Sequence, residues 1–256
     1  MRHLAAALIT AILLLGLWWQ LTSVDEPEFD HFIPADAAGV LVVNRFPDSL
    51  EFVSQTRLGE WVEIDLGTRP EVRELYESGL VEEIRRSVET VWLCLHAVKP
   101  SKSSSYRIDF SAFLTPGPGR GANLEQMIED AVIDRFGEGK TTVLEEDEVR
   151  IFRGGEVGHI FYLKRTDSFL ALSNTQDGWL QCMLAQNRSV PSLAESSGYR
   201  RILEHLDSKS DLFLYFGGSR AFSFLPEFGY TVDIEGTEVR DSYYEVPEGK
   251  PLSQHE

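Results

Sequence analysis

The chain is poor in cysteine and in positive charge. Its 256 residues include two cysteines, Cys94 and Cys182, which excludes a disulfide-dense secreted scaffold. Its 24 Lys and Arg residues stand against 41 Asp and Glu residues, and the formal net charge is −17. A nucleic-acid partner is therefore not expected, because phosphate binding needs clustered basic side chains. The same deficit argues against binding anionic lipid headgroups.

Recognisable catalytic motifs are also missing. The segment Gly137-Glu138-Gly139-Lys140-Thr141 is superficially like the end of a phosphate-binding P-loop. That loop needs a glycine five residues before its last one, and Asp134 stands there. A P-loop also joins a strand to a following helix, whereas here a predicted helix comes first. We therefore predict a helix C-cap and a turn at this position.

The six histidines are spread along the chain, with no two within five residues of each other. Local spacing therefore provides no metal-binding pair. His96 and His159 fall in predicted strands and could meet in space, although a histidine in such a position is more often structural. We predict no catalytic, cofactor-binding or metal-binding residue, and the sequence favours a non-enzymatic function.

Residues 4–21 form an apolar run without a charged residue. As a helix, this run would be about 27 Å long, close to the roughly 30 Å of a bilayer's hydrocarbon core. We expect residues 1–22 to be a retained transmembrane signal-anchor. A cleaved signal peptide is the alternative, although the residues at 22–24 match a cleavage site poorly. The anchor residues include Leu4, Ile12 and Leu15, with Trp18 and Trp19 at the headgroup level.

The flanks of the run predict its orientation. Arg2 precedes it, and the next basic residue after it is Arg45. Lys and Arg prefer the cytoplasmic side. We therefore expect a single-pass inner (plasma) membrane protein with a cytoplasmic N-terminus and a periplasmic or extracytoplasmic C-terminal domain.

The rest of the chain is expected to form one domain of the α+β class. Residues 23–36 read as a tether, 37–228 as the extracytoplasmic domain and 229–256 as an acidic, partly disordered tail. Hairpins and helices are mixed in order, which favours an antiparallel-rich sheet with helices packed on one face. Helices are predicted near 47–55, 70–89, 122–136, 177–186, 199–206 and 219–226. Strands are predicted near 39–44, 90–96, 106–114, 141–144, 149–153, 159–163, 169–173 and 211–216.

The two cysteines leave one question open. In an oxidising compartment they could pair, and the long loop that they would close makes such a bridge worth on the order of 4 kcal/mol. Both nevertheless have apolar neighbours in the sequence, which is typical of buried, unpaired thiols.

The loop at 115–121 joins a predicted strand to a predicted helix. Its two prolines, Pro116 and Pro118, remove amide donors, so an anion site is less favoured than a rigid exposed loop. We expect Pro116, Pro118 and Arg120 to contact a protein partner.

One resemblance covers about the first third of the region after the anchor. It rests on Pro34-Ala35-Asp36, Val40–Val43, Leu50–Thr56 and Leu58-Gly59. These segments resemble the start of uncharacterised bacterial membrane-anchored proteins, a family whose exported domain has unknown function. The resemblance implies a turn, a strand and a helix that ends near Leu58-Gly59, and it carries no active-site residue to this chain.

The leading hypothesis is a non-catalytic, membrane-tethered interaction module, an accessory subunit of an envelope or membrane complex. The alternative is a tethered ligand-binding domain whose pocket would be lined by Trp92, Phe110, Phe113 and Tyr162. A hydrolase that uses scattered acidic residues is a third possibility.

Overall fold

A computed structural model describes residues 28–44, 84, 86–100, 106–137, 141–146, 148–154, 159–217, 226–235 and 238–247. Within these ranges the fold is α+β, as expected, with ten strands in one antiparallel sheet and three α-helices. The strands are β1 Gly39–Val43, β2 Val88–Pro100, β3 Tyr106–Pro116, β4 Thr142–Glu146, β5 Val149–Gly154, β6 His159–Arg165, β7 Leu170–Ser173, β8 Leu212–Gly217, β9 Glu227–Glu235 and β10 Glu238–Glu245. The helices are α1 Gly121–Phe136, α2 Gln176–Gln186 and α3 Ser197–Leu203.

The sheet has the strand order β10-β9-β8-β1-β2-β3-β7-β6-β5-β4. The apolar strand β1 lies in its interior, where Val42 pairs with Trp92 on one side and with Phe213 on the other. Strands β2 and β3 form the predicted hairpin, and β4 to β7 form the predicted meander. These strand predictions are confirmed.

Each face of the sheet carries its own hydrophobic core, because successive side chains of a strand point to opposite faces. In β3, Phe113 belongs to a first core cluster and Leu114 to a second. The first contains Cys182 of α2 and Ile202 of α3, whereas the second contains Leu124 of α1. The prediction that the helices pack on one face is therefore wrong. Helix α1 covers one face, and α2 and α3 cover the other.

Ion pairs fix helix α1 to the meander. Arg150 of β5 bridges to Glu129, and Arg165 of β6 bridges to Glu125 with 3.0 Å between Nη1 and Oε2. The helix ends at Gly137, whose positive φ of 96° and N–H bond to the Ile133 carbonyl form the predicted C-cap.

The predicted tether 23–36 is wrong from Glu28 onwards. A short 3-10 turn, Phe29–His31, places Phe29 in the first core cluster with 2% of its surface exposed, and Ile33 is fully buried. Pro34 pairs with Ser192, and this pairing holds the segment against the loop between α2 and α3. Prolines and acidic residues gave the segment the composition of a linker, but its few apolar side chains complete the core.

The predicted tail 229–256 is wrong up to residue 247, and residues 248–256 lie outside the described residues. Strand β9 begins before residue 229, and β10 adds a further strand up to Glu245. Val232 and Thr231 are buried, while the acidic side chains Asp233 and Glu235 are exposed. The acidic residues therefore belong to strands at one side of the sheet, and the domain boundary predicted at 228 falls inside β9.

Several predictions lie outside the described residues. They are the anchor at 1–22, the helices near 47–55 and 219–226, most of the helix near 70–89, and the segments Leu50–Thr56 and Leu58-Gly59 of the resemblance. Among the residues that are described, no helix combines the length and the apolar character needed to cross a bilayer.

Candidate functional site

A cluster of two thiols, an imidazole and a hydroxyl lies between helix α2 and the sheet. Cys94 and His96 are two residues apart on β2, Ser111 faces Cys94 across the β2–β3 pair, and Cys182 comes from α2. The alternation of a strand places positions 94 and 96 on the same face. We call these four residues the thiol–imidazole cluster.

The imidazole of His96 lies at the centre of this cluster. Its Nε2 is 2.8 Å from the Ser111 hydroxyl oxygen and 3.9 Å from the Cys182 sulphur. Its Nδ1 is 3.8 Å from the Cys94 sulphur. Cys94 and Cys182 are 0% and 1% exposed, and Ser111 is also buried. Only His96 is partly exposed, so it is the member of the cluster closest to solvent.

Gly178, in the first turn of α2, makes room for the imidazole. A Cβ atom at this position would lie 2.8 Å from Cδ2 of His96 and 2.9 Å from Oγ1 of Thr175. Thr175 is the N-cap of α2 and accepts a hydrogen bond from the Gly178 amide. A residue without a side chain therefore lets the helix approach the strand closely enough for Cys182 to reach His96.

The surroundings make the two thiols unequal. The hydrogen bond from Cys94, helped by His96 and Ser111, lowers the pKa of the Cys182 thiol to about 5 against the opposing effect of burial. Burial raises the pKa of Cys94, and the neighbouring Cys182 and Asp36 raise it further. Cys182 is thus the member that carries the thiolate, and Cys94 keeps its proton.

This arrangement is suited to thiol chemistry. A thiolate is the nucleophilic form of cysteine, and an adjacent imidazole and hydroxyl stabilise it. Within the described part of the chain, no group of three or more His, Cys, Asp or Glu side chains is placed to hold a metal ion.

The open question about the cysteines has a clear structural answer. Both are free thiols, and both are buried next to the same imidazole. Their apolar neighbours correctly indicated burial, and the disulfide that the sequence left open is not formed. His159, in contrast, stacks on Phe136 of α1 with 5.9 Å between ring centroids. It therefore lies over the opposite face from His96, and the two histidines do not meet.

The loop predicted as a contact surface lies between β3 and α1. Pro116 ends β3 and is half-buried, while Pro118 and Arg120 are exposed. Two backbone hydrogen bonds fix the loop: the Gly117 amide donates to the Ser87 carbonyl and the Arg120 amide to the Gly117 carbonyl. The loop is thus exposed and well anchored, as predicted from its prolines.

The four aromatic residues predicted to line a ligand pocket do not come together. Trp92 and Phe113 pack in the first core cluster, and Phe110 packs in the second, on the other face. Phe29 fills the space next to Phe113, with ring centroids 5.3 Å apart. Tyr162 stacks on a tryptophan of α2 instead. The space beside Phe113 is therefore filled by another ring of the protein.

Comparison of the chain with known protein families, with curated proteins and with solved structures found no match.

Proposed function

We propose that the protein is a membrane-tethered extracytoplasmic module that works by protein contact, as an accessory subunit of an envelope or membrane complex. In this proposal residues 1–22 anchor the chain in the inner (plasma) membrane with the N-terminus in the cytoplasm. The folded domain then lies on the periplasmic or extracytoplasmic side and performs no chemistry on a substrate of the complex.

The observation that carries this proposal is the entry of Phe29 into the core. With an anchor that ends at residue 22, only residues 23–28 separate the anchor from the core. A chain of that length spans about 20 Å at most. The domain would therefore be held close to the membrane surface, where a short tether raises its effective concentration towards other membrane proteins. A small contact surface is then sufficient for association.

The loop at Pro116–Gly121 supports the same proposal. Its exposed proline and arginine are presented by a backbone that two hydrogen bonds hold in place. A contact residue on such a loop loses little conformational entropy on binding. Arginine is also enriched in protein interfaces. Arg120 is therefore the residue that we expect to contribute most to the contact.

Deleting residues 2–22 tests the role of the tether, with export supplied by a cleavable signal. We expect a folded domain that no longer co-purifies stably with its partner from mildly solubilised native membranes. If neither the intact nor the deleted form co-purifies with another protein after crosslinking, the accessory-subunit proposal is contradicted. A reporter active only after export, fused after Glu256, tests the orientation, and a cytoplasmic signal would contradict it.

The contact surface has a matched pair of test variants. Arg120→Glu reverses the charge on the loop, and Arg201→Glu does the same on α3, where the arginine is also exposed. Helix α3 covers the face of the sheet opposite to α1. We expect Arg120→Glu to reduce crosslinking to the partner at least tenfold and Arg201→Glu to leave it unchanged. An equal loss in both variants would indicate a general charge effect.

A further inference from the structure

We propose that Cys94 and Cys182 form a redox-active dithiol that is oxidised by small, uncharged disulfide compounds, with Cys182 as the attacking thiolate and Cys94 as the resolving thiol. This site is independent of the contact function proposed above. It is formed by residues of β2, β3 and α2 that face each other across the first core cluster.

The arrangement of polar groups around the two cysteines is more specific than their burial in a hydrophobic core would need. Both sulphurs contact one imidazole, at 3.8 Å from Nδ1 and 3.9 Å from Nε2. The same Nε2 is 2.8 Å from the hydroxyl of Ser111, which is itself buried. Polar groups are costly to bury and are kept where they satisfy each other. Here they surround two thiols that come from distant parts of the chain.

The two thiols have different roles because their environments differ. Cys182 accepts a hydrogen bond from Cys94 and is stabilised as a thiolate by His96 and Ser111. Burial disfavours the anionic form of Cys94, and Cys182 and Asp36 disfavour it further. The attacking thiol of a disulfide exchange must be the thiolate, and the resolving thiol can remain protonated until the second step.

The reaction balances in two steps. The Cys182 thiolate attacks one sulphur of the compound, the S–S bond of the compound breaks, and its first half leaves as a thiolate. Cys94 then attacks the sulphur of Cys182, and the mixed disulfide breaks and releases the second half. The Cys94 proton goes to one released thiolate, and the other takes a proton from solvent. The protein loses two electrons and gains the Cys94–Cys182 bond, and the compound is reduced to two thiols.

The site also limits what can reach it. His96 is the only partly exposed member of the cluster, so a reagent must approach past the imidazole. A small compound is favoured by this restricted access. An uncharged compound is favoured over an anionic one because the chain has a net charge of −17 and repels anions.

Hydroxyethyl disulfide is the probe for the test, applied to the purified full-length protein in mild detergent. Remaining free thiols are alkylated under denaturing conditions, and the intact mass is measured. We expect the wild type to lose two hydrogens and to escape alkylation at both cysteines. Cys94→Ala should stop at a mixed disulfide on Cys182, and Cys182→Ala should leave Cys94 unmodified. Two free thiols in the wild type after prolonged incubation would overturn the proposal.

A second measurement separates this role from a merely structural one. Brief alkylation of the native protein, followed by peptide mapping, shows which thiol reacts first. We expect Cys182 to react at least tenfold faster than Cys94, with a rate that falls at acid pH. His96→Gln should move the midpoint of this pH profile upwards, while Ser111→Ala should move it less. Equal reactivity of both thiols, at the rate of global unfolding, would show that they are inert core residues.

Discussion

Replacing Phe29 with alanine tests whether this residue is part of the packed core. Phe29 is 2% exposed, and its ring meets four other rings with centroid distances of 5.9 Å to Phe32, 6.0 Å to Trp92, 5.3 Å to Phe113 and 5.2 Å to Phe169. Truncating a buried phenylalanine costs about 3–5 kcal/mol through lost burial and the cavity that remains. Each aromatic pair adds about 0.5–1.5 kcal/mol beyond burial. We therefore expect a loss near the upper end of that range.

The expected loss is large compared with the total free energy of unfolding. A domain is stabilised by about 5–15 kcal/mol, so Phe29→Ala should remove roughly a third of it or more. The free energy of unfolding can be measured by urea titration, with tryptophan fluorescence as the signal. Phe29→Leu keeps an apolar side chain and loses the ring contacts, so it should cost less than half as much. Leu180→Ala is the surface control, because Leu180 is 50% exposed and should change the stability by less than about 0.5 kcal/mol.

A small effect of Phe29→Ala would contradict the core position of this residue. If the loss stayed below about 1 kcal/mol, the residue would not be part of a packed core. Residues 23–36 would then act as a linker, and the domain would not be held close to the membrane surface.

Three further predictions concern the site and the sheet. Gly178→Ala should cost about 1–3 kcal/mol of stability by overpacking, and it should slow the oxidation of the dithiol because the new methyl group displaces His96. Gly121→Ala is the control: its Cβ would lie 3.5 Å from Pro116, so the stability should hardly change. Asn174→Ala should cost about 1–3 kcal/mol in urea titration, because its side-chain amide bridges two backbone groups of β3 at 2.8 and 2.7 Å. Cys182 binds fewer protons in the folded than in the unfolded state between its folded pKa of about 5 and its usual value of 9.0. The stability that it contributes should therefore rise with pH across this window and be lost as pH falls through about 5, and Cys182→Ala should remove this part of the slope.

The regular elements were largely predictable because their signals are local. The apolar run of β1, the hairpin of β2 and β3 and the stripe of α1 each depend on periodicity within a few residues. The end of α1 at Gly137 was predictable for the same reason, since a glycine with positive φ is a common helix stop.

The remaining features depend on partners far along the chain. Phe29 lies in a stretch with the composition of a linker, and its burial depends on rings at 92, 113 and 169. Strand β10 was missed because its acidic residues hide the alternation that pairs it with β9. Such pairings are set by tertiary context, which composition does not report.

The candidate site shows the same division. Cys94 and His96 are two residues apart, so a strand at this position was enough to place them on one face. Neither spacing nor composition indicated that Ser111 and Cys182 would join them. The close approach of α2 to β2 depends on Gly178. In the sequence, this glycine indicates only a position with a low helix propensity.

The position of β1 inside the sheet has a consequence for the time course of folding. Val43 pairs with Val91 on one side and with Leu212 on the other, so its second neighbour is synthesised long after its first. Pairings between such distant residues form slowly, because the entropy of closing a long loop must be overcome first. A growing chain would therefore lack a complete sheet until β8 has emerged. Under the export proposed above, this delay would keep the early part of the chain open while it crosses the membrane, and the sheet would close around β1 afterwards.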